Sequence, residues 1–157
     1  MDFITGKEKH YEACAEIFRN TELMNRYSEG EDKEKVIRDS LYYHLTDGST
    51  ILAEDEEGRI VGVLMFCNDG MFGSLPYIAE LGVKEELRGT GIGTALLREF
   101  TERCRNNGKQ LCFICVSSFN QRAKVLYERE GFRELTLIKS FLKDGIDEYL
   151  MMKDLKR

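Results

Sequence analysis

Apolar and polar positions change period several times along this chain, and each change marks an element. Asp2 to Thr5 is a short β-prone run, and from about Lys9 to Asn20 the apolar Tyr11, Cys14, Ala15 and Phe18 recur at i, i+3, i+4 and i+7, one face of a helix. A second helix gathers Ile37, Ser40, Leu41, His44 and Leu45 on one face, with Gly48 as its stop signal. The β-rich runs Thr50 to Glu54 and Arg59 to Cys67 flank the acidic turn Asp55-Glu56-Glu57-Gly58, the pattern of an antiparallel hairpin. A strand over Tyr77 to Val83 leads to a strongly amphipathic helix over Gly91 to Asn106, with Gly93, Leu97, Phe100 and Cys104 on one face and Arg98, Glu102 and Arg105 elsewhere. A strand at Leu111 to Val116, a helix at Gln121 to Glu130, and two strands, Phe132 to Leu142 and Asp147 to Asp154, turned at Asp144-Gly145, complete the chain.

The order is strand, two helices, three strands, helix, strand, helix, two strands. It predicts an α+β (mixed α/β) fold in which a sheet of six to seven strands is flanked by about four helices. No repeat, low-complexity tract or Gly/Ser-rich linker interrupts the 157 residues, and the lone Pro76 closes the turn-rich stretch Asn68 to Leu75, so one domain over 1–157 is expected.

Composition narrows the function classes. The longest apolar runs, such as Ile60 to Cys67, are far shorter than a membrane span, so no membrane partner is expected. The start Met1-Asp2-Phe3-Ile4-Thr5-Gly6 lacks the basic and apolar segments of a secretory signal, making the cytoplasm the expected location. A net charge of −5 weighs against a nucleic-acid partner and slightly favours a cationic one. Of the cysteines, Cys14, Cys67 and Cys104 sit singly in apolar or helical patterns, as small buried hydrophobes do. Cys112 and Cys115 spell C-x-x-C within a β-rich run, where residues three apart point to opposite faces, which disfavours a metal or redox pair. His10 and His44 have no ligand partner nearby in sequence, and no metal site is expected.

The candidate chemistry lies in Ala79 to Leu97, where a strand ends, a glycine-rich loop follows and a helix begins. Glycines at 89, 91 and 93 allow unusual backbone angles and close approach of a ligand, and the helix start offers unpaired N–H groups and positive dipole, so the segment is a cradle for an anion such as phosphate. It is not a P-loop, because Thr94 rather than lysine follows Gly93. Nor is it a dinucleotide fingerprint: the spacing is G-x-G-x-G, and about twenty residues on the chain is apolar, at Phe113 and Ile114.

Arg88-Gly89-Thr90-Gly91-Ile92-Gly93 resembles the pyrophosphate-binding signature R/Q-x-x-G-x-G/A of the GNAT N-acetyltransferases. The stretch from Asn120 through Ala123 and Tyr127 to Gly131-Phe132 resembles that family's second pattern, and both lie in the family's order. The specific motifs occupy about residues 77 to 132, while the element order is similar over nearly the whole chain. The resemblance implies a mixed, largely antiparallel sheet and an enzyme that takes acetyl-CoA as acyl-donor cosubstrate, without a metal. The acetyl group would pass to a primary amine by direct transfer in a ternary complex.

Carried over residue by residue, the resemblance implies that the backbone from Leu81 through Gly82 to Val83 meets the coenzyme's pantetheine arm. Amides of Gly89, Thr90, Gly91, Ile92, Gly93 and Thr94 would wrap the pyrophosphate, with Arg88 shaping the loop. Asn120 would meet the coenzyme near the mouth of the cleft between two strands that diverge in this family; read by itself it is a helix cap, with Ser118 and Gln121 forming another candidate capping box. Tyr127 would be the general acid that protonates the departing thiolate, against a packed helix tyrosine as the plainer reading. Glu80 is the candidate base, because an acid within a β-rich run is disfavoured by propensity and so asks for a reason. Some relatives place the acid instead where this chain has Cys115. The acceptor, a small-molecule amine or a peptide amine, would be chosen by the variable segments: Asn20 to Lys35, Tyr42 and Tyr43, Asn68 to Pro76, and the turn at Lys143 to Gly145. Homodimers are frequent in the family. A catalytically silent acyl-CoA-binding or regulatory module is the alternative to an enzyme.

Overall fold

The amphipathic run near the start closes as α1 (Tyr11–Phe18) because Cys14, Ala15, Ile17 and Phe18 all bury on one side. The computed structural model describes residues 1–156. Before α1 stand β1 (Asp2–Thr5) and a 3-10 turn at Glu8–His10; after it come α2 (Glu22–Tyr27), α3 (Lys33–Asp47), β2 (Thr50–Glu54), β3 (Ile60–Met71) and β4 (Leu75–Val83). A 3-10 turn at Glu85–Leu87 leads into α4 (Ile92–Asn106), followed by β5 (Leu111–Ser117), α5 (Gln121–Arg129), β6 (Arg133–Lys143) and β7 (Ile146–Asp154). The seven strands form one sheet in the order β1-β2-β3-β4-β5-β7-β6. The expected α+β class holds, with five α-helices among the described residues rather than about four.

The residues group into two compact units, 1–66 with 80–97, and 67–79 with the chain from 98 onward. In the first unit β1 pairs antiparallel with β2, and β2 with β3 through Ile51 and Leu64, with a register shift at Ala53/Glu54. Its core packs Cys14 and Phe18 of α1 and Ile37, Leu41 and Leu45 of α3 with Leu52, Val63 and Met65 of the strands. Gly48 ends α3 in the left-handed conformation, φ 75°, as its place in the pattern predicts. The extra helix is α2, capped by Thr21, whose Oγ1 accepts from Met24 N at 3.1 Å. Only Met24 of its six residues is buried, so no periodicity in the sequence announces it.

In the second unit β4 pairs parallel with β5 (Tyr77 with Phe113, Ile78 with Ile114), and β7 lies antiparallel to both β5 and β6. Lys124 Nζ of α5 sits 4.7 Å from the Tyr149 ring centre, and Cys112 of β5 neighbours Cys104 of α4. Since Val116 pairs with Tyr149 and Cys112 with Lys153, the face carrying Cys112, Ile114, Val116 and Tyr149 is the helix side of this unit. Tyr77, Phe113, Cys115, Ser117 and Glu148 share the opposite face. The stretch Asn68 to Pro76 differs from its expected reading as a long turn. Strand structure runs on to Met71 and resumes at Leu75, so Pro76 lies inside β4 and the turn is Phe72-Gly73-Ser74. Phe72 and Gly73 adopt φ 55° and 68°, the positive pair of a tight hairpin turn. No helix among the described residues is long and apolar enough to cross a membrane.

Candidate active site

The cradle stands in the first unit, where β4 passes through Glu80 to Val83 into the loop before α4. Lys84 N donates to Val61 O at 3.0 Å, fixing the end of β4 beside β3. Gly62 lets α4 approach: a Cβ there would come within 2.9 Å of both Ile92 Cγ2 and Leu96 Cδ1. Gly82 does the same for α1, since a Cβ would lie 2.6 Å from Phe18 Cε1 and 2.8 Å from Ile17 Cγ2. These contacts, made by protein alone, already account for a glycine at 82.

The loop itself is exposed from Arg88 to Gly91. Arg88 Nε donates to Val83 O at 3.4 Å, and Thr90 Oγ1 donates to Leu87 O at 2.6 Å, tying the loop to the preceding strand and 3-10 turn. Gly89 and Gly91 hold φ of 83° and 95°, which side-chain-bearing residues rarely adopt. The first helical bond of α4 runs from Ala95 N to Gly91 O at 3.0 Å, so the amides of Ile92, Gly93 and Thr94 precede it and lack intrahelical partners. A Cβ added at Gly91 would meet nothing within 4 Å. Exposed amides, a helix start and the Arg88 guanidinium together suit a bound pyrophosphate. A recess of about 170 Å³ lined by Glu16, Ile17, Asn20 and Lys84 to Glu86 shares Arg88 with this cradle.

Glu80 precedes the cradle on β4. The residue as a whole is half-buried, but its Oε1 is shielded from solvent and takes no hydrogen bond. Burial raises the carboxyl from the ordinary 4.5 to about 7. A carboxyl poised there is ionised in about half of the molecules at neutral pH, and that ionised fraction can accept a proton.

Asn120 and Tyr127 belong to the second unit. Asn120 caps α5: its Oδ1 accepts from Ala123 N at 3.3 Å. The Ser118 and Gln121 box is replaced by a bond from Gln121 Nε2 to Ser118 O at 2.7 Å. Tyr127 is buried at 6% exposure, its ring edge-on to Phe132 with centroids 6.1 Å apart. Its carbonyl accepts from Phe132 N at 3.0 Å, so the Gly131-Phe132 ending of the motif braces the tyrosine.

Sequence reasoning passed over a polar group on the helix-free face of the second unit. Ser117 Oγ donates to Glu148 Oε1 at 2.8 Å, and the Tyr77 and Cys115 side chains hydrogen-bond each other. The signal that could have found it is the one used for Glu80, an acid within a β-rich run.

A sequence profile described as the acetyltransferase (GNAT) family matches residues 11–132, which contain the cradle, Glu80, Asn120 and Tyr127. The chain belongs to that family. As a GNAT acetyltransferase it is an acetyl-CoA-dependent N-acetyltransferase by class. It is 36% identical over 98 residues to an uncharacterised N-acetyltransferase of Methanocaldococcus jannaschii, spanning 62% of this chain and 61% of that relative, so less than two thirds of the relative's length is matched. It is 32% identical over 120 residues to an N-alpha-acetyltransferase of Sulfolobus acidocaldarius, 69% of this chain and 71% of that one. Its fold is similar to that of a GCN5-related N-acetyltransferase from Kribbella flavida, with a TM-score of 0.77 at 18% identity, over 98% of this GNAT chain and 96% of the other.

Proposed function

We propose that this GNAT acetyltransferase, acting as one domain over residues 1–157, moves the acetyl group of acetyl-CoA directly to a primary amine in a ternary complex. The observation that carries the reading is the loop from Arg88 to Thr94: positive-φ glycines, an exposed stretch from Arg88 to Gly91 and amides without intrahelical partners at the head of a 15-residue helix. Those amides and Arg88 would hold the pyrophosphate, and the backbone of Leu81 to Val83 the pantetheine arm. Asn120 would add a contact beyond its capping bond. The coenzyme supplies an acetyl group already activated as a thioester.

The residues then handle protons. Glu80, with its carboxyl near 7, accepts the proton that the amine must lose to become a nucleophile. Tyr127 donates to the sulfur as the carbon–sulfur bond breaks; a thiolate, with a pKa near 8 to 9, needs only modest assistance. The acceptor is a small-molecule or peptide amine, and the Sulfolobus relative's name, N-alpha-acetyltransferase, keeps the peptide N-terminus among the candidates. The setting is cytoplasmic, with neither nucleic acid nor membrane as partner, and the active form is a homodimer.

Thermal unfolding with and without acetyl-CoA tests the cradle. A ligand at about 100 times its Kd adds roughly 2.7 kcal/mol, enough to move the midpoint by several degrees in a chain of this size. A rise followed by thiol release in the presence of amines supports the enzyme. A rise with no release from any amine leaves the silent binding module, and no rise removes the coenzyme assignment.

A further inference from the structure

Past Gly82, where β4 lies close against α1, the chain turns into the 3-10 segment at Glu85–Leu87 and leaves the recess of about 170 Å³ between that turn and α1. Every residue lining it belongs to the first unit. Ile17, 5% exposed, supplies an apolar wall, and α1 adds Glu16 and, one turn on, Asn20. The facing turn adds Lys84, Glu85, Glu86 and Arg88. Among the described residues, none of the Glu16, Lys84, Glu85 and Glu86 side chains has a hydrogen bond or an ion pair. Arg19, further along α1, spends its guanidinium on Glu12 at 2.6 Å and Glu34 at 2.7 Å instead. Arg88 is anchored through Nε to Val83 O, which leaves its two terminal nitrogens without a partner among those residues.

Charges of both signs thus line one concavity without neutralising each other. A simple anion would meet three carboxylates there, and a diamine would meet two cations. No group of three or more acidic, cysteine or histidine side chains among the described residues could hold a metal ion, so the carboxylates do not converge on one. With one more acid than base, the complementary ligand carries one carboxylate and two ammonium groups. We propose that the recess binds a free basic amino acid. Its carboxylate and α-ammonium, attached to one carbon, meet the turn, which offers Lys84 and Arg88 to the first and Glu85 and Glu86 to the second. Its side chain runs along Ile17 and brings the distal ammonium to Glu16 on the facing helix. Arg88 also borders the cradle, so the amino acid and the pyrophosphate compete for one guanidinium, and each weakens the other's binding by the same factor. That linkage rests on the coenzyme reading above; the recess itself does not. The ligand acts on coenzyme binding rather than as acceptor, because it meets the pyrophosphate end and not the thioester.

Titration calorimetry of the full chain compares L-lysine with cadaverine, which lacks the carboxylate, and with L-norleucine, which lacks the distal ammonium. L-lysine should bind about tenfold more tightly than either. Lys84→Met should cut its advantage over cadaverine to about threefold or less, and Glu16→Gln should do the same to its advantage over norleucine. A merely structural role for either side chain would leave those ratios alone. L-lysine binding no more tightly than cadaverine or norleucine, or a ratio unchanged in either variant, overturns the site. Coenzyme A, which has no acetyl group to lose, is then titrated with and without saturating L-lysine. A loss of about fivefold in its affinity supports the linkage, and no loss overturns it. If coenzyme A does not bind at all, the coenzyme reading fails, while the lysine comparisons still decide the recess.

Discussion

A carboxyl that burial holds near 7 is half ionised close to neutrality, so Glu80 ties both rate and stability to pH. As the base it must be deprotonated, and kcat/KM should rise with pH through about 7; Glu80→Gln should lose that limb of the profile. The stability effect has the opposite sign. Between 4.5, the ordinary value, and about 7 the unfolded chain releases this proton while the folded chain retains it, so stability falls as pH rises across that window. Glu80→Gln should therefore melt a few degrees above the wild type at pH 8, roughly, with the gap closing towards pH 4. A melting difference independent of pH would show that the carboxyl does not titrate near 7. Tyr127→Phe keeps the ring against Phe132, and it should cost about a hundredfold in turnover with little change in melting. Full turnover in that variant would make Tyr127 a packing residue only.

Elements announce themselves when they bury a stripe, and this explains which were legible. The helices α1, α3 and α4 follow from their spacing; α5 buries only Tyr127 and lies instead on the stretch from Asn120 to Phe132 that resembles the family's second pattern. The short α2 has neither signal, because it buries Met24 alone and depends on the Thr21 cap. The hairpin joining β3 to β4 was also hidden: Asn68, Asp69 and Gly70 continue a strand through backbone bonding that apolar patterning cannot report. Gly82 and Asn120 each carry a structural duty in addition to the coenzyme role the motif implies. Gly82→Ala drives a methyl into Phe18 and Ile17, and should destabilise by about 1–3 kcal/mol in denaturant unfolding whether or not acetyl-CoA is present. Asn120→Asp retains an oxygen for the Ala123 amide where Asn120→Ala does not, so only the alanine variant should lose about 1 kcal/mol of stability. A loss of acetyl-CoA affinity shared by both variants would identify the coenzyme contact.

For the molecule as a whole, β6 ends the strand order and leaves Leu137, Phe141 and Leu142 at 40%, 49% and 57% exposure. An apolar edge of this kind invites pairing, and the proposed homodimer would use it. Replacing Leu137 and Phe141 together by lysine should convert a dimer to a monomer in light scattering. A wild type already monomeric at assay concentration would end that part of the proposal. The fold class and the glycine-rich loop before α4 were readable because both repeat local patterns, apolar period and glycine spacing. The Tyr77, Cys115, Ser117 and Glu148 group was not, because strand register brings together residues up to 71 positions apart in a sequence that never sets them side by side. The cysteines carry a practical consequence. Burial pushes the thiols of Cys14 and Cys112 up to about 12 and that of Cys104 to about 11, so at assay pH these three are almost wholly un-ionised and poor nucleophiles. A colorimetric thiol reagent added during turnover would count coenzyme set free rather than these three side chains, and once the half-buried Cys67 and Cys115 are replaced, a cysteine introduced beside the cradle could be labelled in preference to them with a fluorophore.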